Sequence, residues 1–378
     1  MPRPDESAVR AALSTVNDPE IHKPITELKM VDSLAIADDG TVSITVLLTV
    51  PGCPMKDRIT REVTEAVSRV DGVTSVDLQL GVMSDAQRTE LRQGLRGDAP
   101  ANEIPFAQPG SRTRVYAVAS GKGGVGKSSV TVNLAVALAA RGLAVGVLDA
   151  DIYGFSVPRM LGVTGKPTQV EQMIMPPEAH DVKVISIGMF TPGNTAVVWR
   201  GPMLHRALQQ FLADVFWGDL DVLLMDLPPG TGDIAISVAQ LVPSAELLVV
   251  TTPQLAAREV AERAGSIALQ THQQIVGVVE NMSWLDLPDG TRMELFGSGG
   301  GQSVADSLSR TTGAPVPLLG QIPIDQQVRE GGDGGEPVVI SDPTSAAAVA
   351  LNAIADKLAV RQQSLIGRSL GLAPAATG

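Results

Sequence analysis

The sequence of 378 residues contains a single cysteine, Cys53, and has 29 Lys and Arg against 41 Asp and Glu. One cysteine excludes an internal disulfide. The net charge of −12 disfavours nucleic acid and anionic membranes as partners, since both attract basic surfaces. No apolar stretch is long enough to span a bilayer, and the N-terminus lacks a signal-peptide pattern. We therefore expect a cytoplasmic protein with neither nucleic-acid nor membrane partners.

The most informative segment reads GKGGVGKS and runs from Gly121 to Ser128. It fits G-x-x-x-x-G-K-[ST], a loop whose backbone N–H groups cradle phosphates. In this pattern Lys127 reaches the β- and γ-phosphates, and the Ser128 hydroxyl holds Mg²⁺. An apolar strand precedes the loop and an Ala-rich helix follows it, which adds a helix N-terminus to the site. The predicted nucleotide-binding residues of this segment are Gly121, Lys122, Gly123, Gly124, Val125, Gly126, Lys127, Ser128 and Ser129.

The same glycines also fit G-x-G-x-x-G, the fingerprint of a dinucleotide site, with Asp149 at a suitable distance to bind a ribose. Three features favour a nucleoside triphosphate instead. The Lys127–Ser128 pair has no role on a dinucleotide pyrophosphate. Asp226 ends an apolar run and is suited to hold Mg²⁺ together with Ser128. The segment 227–233 that follows, LPPGTGD, resembles a switch turn.

Two further carboxylates, Asp149 and Asp151, follow the second strand of this region. Strand ends of a parallel sheet share one edge, so these acids are expected near the loop. A carboxylate there can orient the attacking water of a phosphoryl transfer, although the pair could instead cap a helix. We favour the catalytic interpretation, with Lys127, Asp149, Asp151 and Asp226 as catalytic residues of a phosphoryl transfer from a nucleoside triphosphate.

The chain is predicted to hold two domains. Residues 113–360 alternate helical stretches with apolar strands, which is typical of a doubly wound, mostly parallel α/β sheet. Residues 1–83 are predicted to form a small α/β domain, residues 84–112 a linker with a short charged helix, and residues 361–378 a flexible tail. The predicted strands of the large domain are Val115–Ala119, Ala144–Leu148, Val184–Ile187, Asp221–Met225, Leu247–Thr251, Val276–Val279 and Leu318–Ile322.

With these motifs in place, Lys122–Ser128 resembles the deviant P-loop of the MinD/ArsA/nitrogenase iron-protein group. The patterns D-A-D-I-Y-G at 149–154, DLPPGTGD at 226–233 and VENMS at 279–283 narrow the resemblance to the Mrp/ApbC iron–sulfur cluster carrier ATPases. NDPE at 17–20 and TVPGCP at 49–54 resemble the small N-terminal domain that many of these proteins carry.

The resemblance implies a homodimer bridged by ATP and Mg²⁺, in which Lys122 reaches the partner's nucleotide and so joins the catalytic residues. It also implies that Asn281 contacts the adenine, with Pro323 near it. Apo iron–sulfur proteins would be the clients that receive a cluster. The implied function is therefore an ATP-hydrolysing protein that binds iron–sulfur clusters and transfers them to apoproteins.

The sequence departs from this family at one place. The family usually has a Cys-x-x-Cys after the Glu-Asn-Met segment, but residues 284–297 contain no cysteine. Iron–sulfur clusters prefer thiolate ligands, so the usual cluster site cannot form, and we expect this stretch to be a solvated hairpin. Cys53 is the remaining candidate metal ligand, since a helix start lowers a thiol pKa; it could also be a small buried cap residue. The alternative function is an ATP-driven scaffold or regulator that no longer carries a cluster.

Overall fold

The computed structural model describes residues 3–49, 55–96, 103–151, 154–170, 173–190, 201–230, 233–254 and 257–359. Cys53 and the predicted tail 361–378 lie outside the described residues. No helix in the described part of the chain combines the length and apolar character that a bilayer crossing needs.

The N-terminal domain is a three-stranded sheet in the order β1-β2-β3, with β2 antiparallel to β1 and parallel to β3. Its elements are α1 (Glu6–Leu13), β1 (Val31–Ile36), β2 (Thr41–Leu48), α2 (Lys56–Ser68), β3 (Ser75–Val82) and α3 (Asp85–Arg96). Helix α1 begins where acidic and hydroxyl residues predict it, because Asp5 caps it by accepting from the Ser7 N–H. Ile59, Val63 and Val67 form the buried face of α2.

The predicted linker contains structure that packs on both domains. Helix α3 confirms the expected short charged helix, and Leu91 on it is buried with the core of the small domain. Phe106, in a 3-10 helix over Pro105–Ala107, is buried with the core of the large domain. The connection between the two cores is thus shorter than the predicted linker over residues 84–112. The limits of the domains stay a prediction.

The large domain confirms the predicted doubly wound α/β fold. Its eight-stranded sheet has the order β15-β12-β11-β4-β10-β5-β9-β8, with only the β8–β9 pair antiparallel. The strands are β4 (Arg114–Ala119), β5 (Val145–Asp149), β8 (Glu178–Ala179), β9 (Val182–Ser186), β10 (Val222–Asp226), β11 (Glu246–Thr251), β12 (Ile275–Glu280) and β15 (Leu318–Gln321). Each of the seven predicted strands overlaps one of these.

Helices cover both faces of this sheet. Along β4, Val115 and Ala117 pack in one core, and Tyr116 and Val118 pack in the other, as the two-residue period of a strand requires. The helices are α4 (Lys127–Ala139), α5 (Val157–Met160), α6 (Gly201–Asp214), α7 (Asp233–Leu241), α8 (Ala257–Thr271), α9 (Gly300–Thr312), α10 (Gln326–Gly334), α11 (Val338–Ser341) and α12 (Ala346–Ala359).

Two small hairpins lie outside this sheet: β6 (Thr168–Val170) with β7 (Met173–Met175), and β13 (Leu285–Asp286) with β14 (Arg292–Met293). The second confirms the hairpin expected for the cysteine-free stretch 284–297. In the first hairpin Val170, Met173 and Met175 are buried in the core of the small domain, whereas Ile174 is buried in the core of the large domain. Strand β7 therefore belongs to both cores.

Candidate nucleotide site

The predicted phosphate loop connects β4 to α4 at the carboxyl edge of the sheet. Gly124 and Gly126 have φ angles of 79° and 76°, which favour glycine. Gly126 is the N-cap residue of α4 and no side chain caps this helix. The first N–H groups of α4 are thus left for an anion.

A cavity of about 210 Å³ lies over this loop. Its lining includes most of the predicted nucleotide-binding residues, together with Asp151, Ser156, Met160 and Pro229. The predicted residues that line it are Lys122, Gly123, Gly124, Val125, Gly126, Lys127, Ser128 and Ser129. Gly121, Asp149, Asp226, Asn281 and Pro323 are not among the lining residues.

Lys127, Ser128 and Asp226 form a buried network under this cavity. Lys127 Nζ lies 2.7 Å from Asp226 Oδ1, with 6% and 1% of the two side chains exposed. The Ser128 hydroxyl donates to Asp226 Oδ2 at 2.6 Å. Despite the ion pair, the buried Lys127 ammonium makes no hydrogen bond of good geometry within the described residues. A buried cation of this kind has donor capacity left for an anion.

Sheet register explains why the two acidic positions meet. Strand β10 lies between β4 and β5, and Asp226 at the end of β10 is paired directly with Asp149 at the end of β5. Burial and the nearby negative charge of Asp226 raise the pKa of Asp149 to about 7. Asp149 accepts from the Ser186 hydroxyl and from the Asp151 N–H, both at 3.1 Å. Its carboxyl group therefore fixes the chain that carries Asp151.

Asp151 is the acid of this pair that faces the cavity. Its carboxylate accepts from the Gly154 N–H at 3.2 Å, and the residue is 8% exposed. The prediction placed Asp149 and Asp151 together at the site. The structure separates them, because Asp149 is fully buried at the strand end and Asp151 is two residues further on.

Lys122 lies at the rim of the cavity and is held within its own chain. Its ammonium donates to the side-chain oxygen of Gln254, which follows β11. Next to it, Arg263 donates to the carbonyl oxygen of Gly121 at 3.0 Å. Gln254 and Arg263 thus position the start of the phosphate loop.

Asn281 contacts the phosphate loop through its side chain. Its side-chain N–H donates to the Val125 carbonyl at 2.9 Å, and a Cβ on Gly126 would lie 2.3 Å from Asn281 Nδ2. Pro323 is buried beyond β15; the neighbouring Ile322 carbonyl accepts from the Ser283 N–H at 2.9 Å. Asn281 is therefore in contact with the predicted site, and Pro323 lies at the same sheet edge.

Residues 284–297, where the sequence lacks the expected cysteines, contain the hairpin β13–β14. The Arg292 guanidinium lies 4.2 Å from the centre of the Trp284 ring and 3.3 Å from Asp286. Met293, Leu295 and Phe296 are exposed. Among the described residues, no group of three or more His, Cys, Asp and Glu side chains is placed to hold a metal ion.

Sequence reasoning missed three polar partners of the site. Thr131 donates to Asp226 Oδ1 at 2.9 Å, and the i, i+4 spacing from Lys127 on one helix face is a signal that could have revealed it. Ser186, the partner of Asp149, ends β9, and Gln254, the partner of Lys122, follows β11. Neither has a local pattern that connects it to the loop.

Two family profiles match the chain. The one described as NUBPL iron-transfer P-loop NTPase matches residues 111–359, and the one described as iron-sulfur cluster assembly protein matches residues 6–78. These matches confirm the predicted resemblance.

Individual relatives point the same way. A protein of Mycobacterium tuberculosis named iron-sulfur cluster carrier protein is 67% identical, over 97% of this chain and 97% of that protein. A protein of the same name from Synechocystis is 42% identical, over 93% of this chain and 96% of its own. A nucleotide-binding protein from Archaeoglobus fulgidus, solved in complex with ADP, is 37% identical with a TM-score of 0.51, covering 59% of this chain and 87% of its own.

Proposed function

Because the chain belongs to the NUBPL iron-transfer P-loop NTPase family, we propose that it is a cytoplasmic Mg-ATP-dependent ATPase that carries iron–sulfur clusters to apoproteins. One observation carries the nucleotide part of this proposal. The buried Lys127 ammonium, which pairs with Asp226 but makes no hydrogen bond of good geometry within the described residues, lies beside an uncapped helix start and under an open cavity. Such a combination suits a phosphate group.

The residues present also fit a magnesium ion. Ser128 Oγ and Asp226 Oδ2 are oxygen atoms 2.6 Å apart that can both act as metal ligands. Mg²⁺ prefers oxygen ligands from the protein, phosphates and water. Bound there, the ion would neutralise charge on the β- and γ-phosphates. Ser128 would ligate it, and Asp226 would hold it directly or through a water molecule.

For hydrolysis we assign separate roles to the acids. Asp151 lines the cavity and would orient the attacking water. Asp149 is fully buried and would position Asp151 through the Asp151 N–H. Lys127 would stabilise the negative charge that develops on the transferred phosphoryl group.

We further propose that two copies associate around ATP. Lys122 would leave Gln254 and reach the nucleotide of the second copy, so that ATP binding favours the dimer and hydrolysis releases it. Asn281 would position the loop and contact the base, with Pro323 near it, as the resemblance implies.

Titration calorimetry with Mg-ATP tests the nucleotide part. Lys127→Ala is expected to abolish turnover and to weaken binding strongly, since it removes the buried ammonium. Lys56→Ala is the matched control, because Lys56 is an exposed lysine of the small domain. Absence of heat with the unmodified protein would contradict an ATP site.

The cluster is the cargo, and its site is tested by anaerobic reconstitution with iron and sulfide, followed by absorbance and iron counting. The chain has one cysteine, so a dimer supplies two thiolates, half of a Cys₄ set. Stoichiometric cluster that disappears in Cys53→Ser supports carriage. The absence of cysteine from residues 284–297 favours one alternative, an ATP-driven scaffold or regulator, and a failure to take up any cluster supports it.

A further inference from the structure

A segment of the large domain that begins at the nucleotide cavity packs against the small domain. Asp151, Ser156 and Met160 line that cavity. Directly after them, residues 162–166 line a second cavity of about 670 Å³ between the two domains. One continuous stretch of chain therefore borders both cavities.

The same stretch then enters the core of the small domain. The Thr168 hydroxyl lies 3.3 Å from each carboxylate oxygen of Glu20. Val170, Met173 and Met175 are at most 2% exposed and pack with the small domain, although they belong to the chain of the large domain. Such close packing transmits a displacement rather than absorbing it.

Strand β7 is anchored on its other side to the large domain. Ile174 is 5% exposed in the core of the large domain, and its carbonyl accepts from the Phe216 N–H at 2.8 Å. A second link crosses the interface nearby, where His22 Nε2 lies 2.6 Å from Glu178 Oε2. The segment that leaves the nucleotide cavity thus makes two polar links to the small domain, one through Thr168 and one through Glu178.

Gly162 constrains how this segment can move. Its φ is 66°, and a Cβ there would lie 2.7 Å from the Gly335 carbonyl oxygen. The chain between α5 and β6 is therefore packed backbone against backbone at its start. A shift of α5 has to pass along the chain toward Thr168 or be taken up against α10, which ends at Gly334.

We propose that residues 154–170 and 173–178 couple nucleotide occupancy of the phosphate-loop cavity to the way the small domain is held. This coupling rests on the proposed ATP site, because it needs a ligand that contacts Asp151, Ser156 or Met160. A nucleotide that binds these residues shifts α5 and the β6–β7 hairpin, and the small domain follows. By linkage, docking of the small domain changes the nucleotide affinity by the same factor by which bound nucleotide changes the docking equilibrium.

Hydrogen exchange on the full chain tests this directly. Saturating Mg-ADP is expected to change the exchange rates of residues 16–25 and 168–178 by about fivefold or more, the lower end of usual allosteric coupling. Calorimetry on the same samples reports binding separately. Nucleotide that binds with heat but leaves both segments unchanged overturns the coupling and leaves the ATP site intact. Absence of heat overturns the ATP site and the coupling with it.

The reciprocal test uses Thr168→Val combined with Glu178→Gln, which removes the Thr168–Glu20 hydrogen bond and the negative charge of the His22–Glu178 link. Its dissociation constant for Mg-ADP is expected to differ from that of the unmodified protein by about fivefold or more. Glu65→Gln, which removes an exposed carboxylate from the small domain, is expected to leave that constant unchanged. Equal constants in all three proteins, each with a cooperative thermal transition, overturn the proposal.

Discussion

The ammonium of Lys122 donates a hydrogen bond to the side-chain oxygen of Gln254 in the same chain. This contact directs Lys122, the lysine near the start of the phosphate loop, toward the residue segment that follows β11. If Lys122 serves the nucleotide of a second copy, the bond to Gln254 has to break when the dimer forms. The contact thus separates the roles of the two loop lysines, since Lys127 is bound to Asp226 instead.

Replacing Lys122 by alanine should leave the affinity for Mg-ATP nearly unchanged while weakening ATP-driven dimerisation. Lys127, Ser128 and the loop N–H groups that would hold the nucleotide are retained in this variant. Light scattering with and without Mg-ATP measures the dimer, and calorimetry measures the affinity. Unaltered dimerisation would count against a role across the subunits.

Gln254→Glu tests the release of Lys122. A carboxylate accepts more strongly from an ammonium than a neutral amide does, so this variant should need more ATP to reach the same dimer fraction. Gln254→Ala should need less. The same ATP requirement in both variants would show that the Lys122–Gln254 contact does not oppose dimer formation.

Asp149 should make the stability of the protein depend on pH. Its pKa is raised from 3.8 to about 7, chiefly by burial. The folded state therefore holds this proton more tightly than the unfolded chain does. The stabilisation is full below the unfolded pKa and is lost as the pH rises through about 7.

The measurement is a comparison of melting temperatures for the unmodified protein and Asp149→Asn at about pH 5.5 and about pH 8, without nucleotide. The uncharged amide cannot ionise, so the variant should gain relative to the unmodified protein as the pH rises. Asp306→Asn, at an exposed position of α9, is the control. The prediction is wrong if the difference in melting temperature between Asp149→Asn and the unmodified protein is the same at both pH values.

Gly126→Ala and Gly124→Ala separate two costs in the phosphate loop. Both positions have positive φ, so each alanine costs about 1–2 kcal/mol of backbone strain. A Cβ at Gly126 also meets Asn281 Nδ2 at 2.3 Å, whereas one at Gly124 meets nothing within 4 Å. Urea denaturation should therefore show the larger loss for Gly126→Ala. Adding Asn281→Ala to the Gly126→Ala variant should recover only the part of the loss that comes from the contact with Asn281. Equal losses of stability for Gly126→Ala and Gly124→Ala would refute the contact.

Met173→Ala should be strongly destabilising although Met173 is far from any predicted catalytic residue in the sequence. The side chain is fully buried among small-domain residues, and such truncations cost about 2–5 kcal/mol. Met203→Ala is the matched control, because Met203 is 48% exposed on α6 and should change stability by less than about 0.5 kcal/mol. Chemical denaturation of both variants decides the matter.

The parts of the fold that the sequence predicted are those with a local pattern. The strands around the phosphate loop are continuous apolar runs, and Gly121–Ser128 has a fixed spacing, so both are readable from neighbouring residues. Because parallel strands end at one edge, Asp226 and Asp149 could also be placed together. Which of Asp149 and Asp151 lines the cavity could not be predicted, since Asp149 accepts a hydrogen bond from Ser186 on another strand, a contact without a local signal.

The contacts between domains had no local signal. Thr168 and Glu20 are separated by 148 positions, and His22 and Glu178 by 156. No local pattern connects Met173 and Met175 with the small domain, and only the folded chain shows that they pack on it. Strands as short as β6 and β7 are too brief to show a period.

The shared strand β7 has a practical consequence for anyone who shortens this protein. A fragment that starts at Thr113 keeps Val170, Met173 and Met175 but loses the side chains that cover them. Three adjoining apolar groups would then face water and favour self-association of the fragment. Polar replacements at those three positions would be needed before such a fragment could report on the isolated ATPase domain.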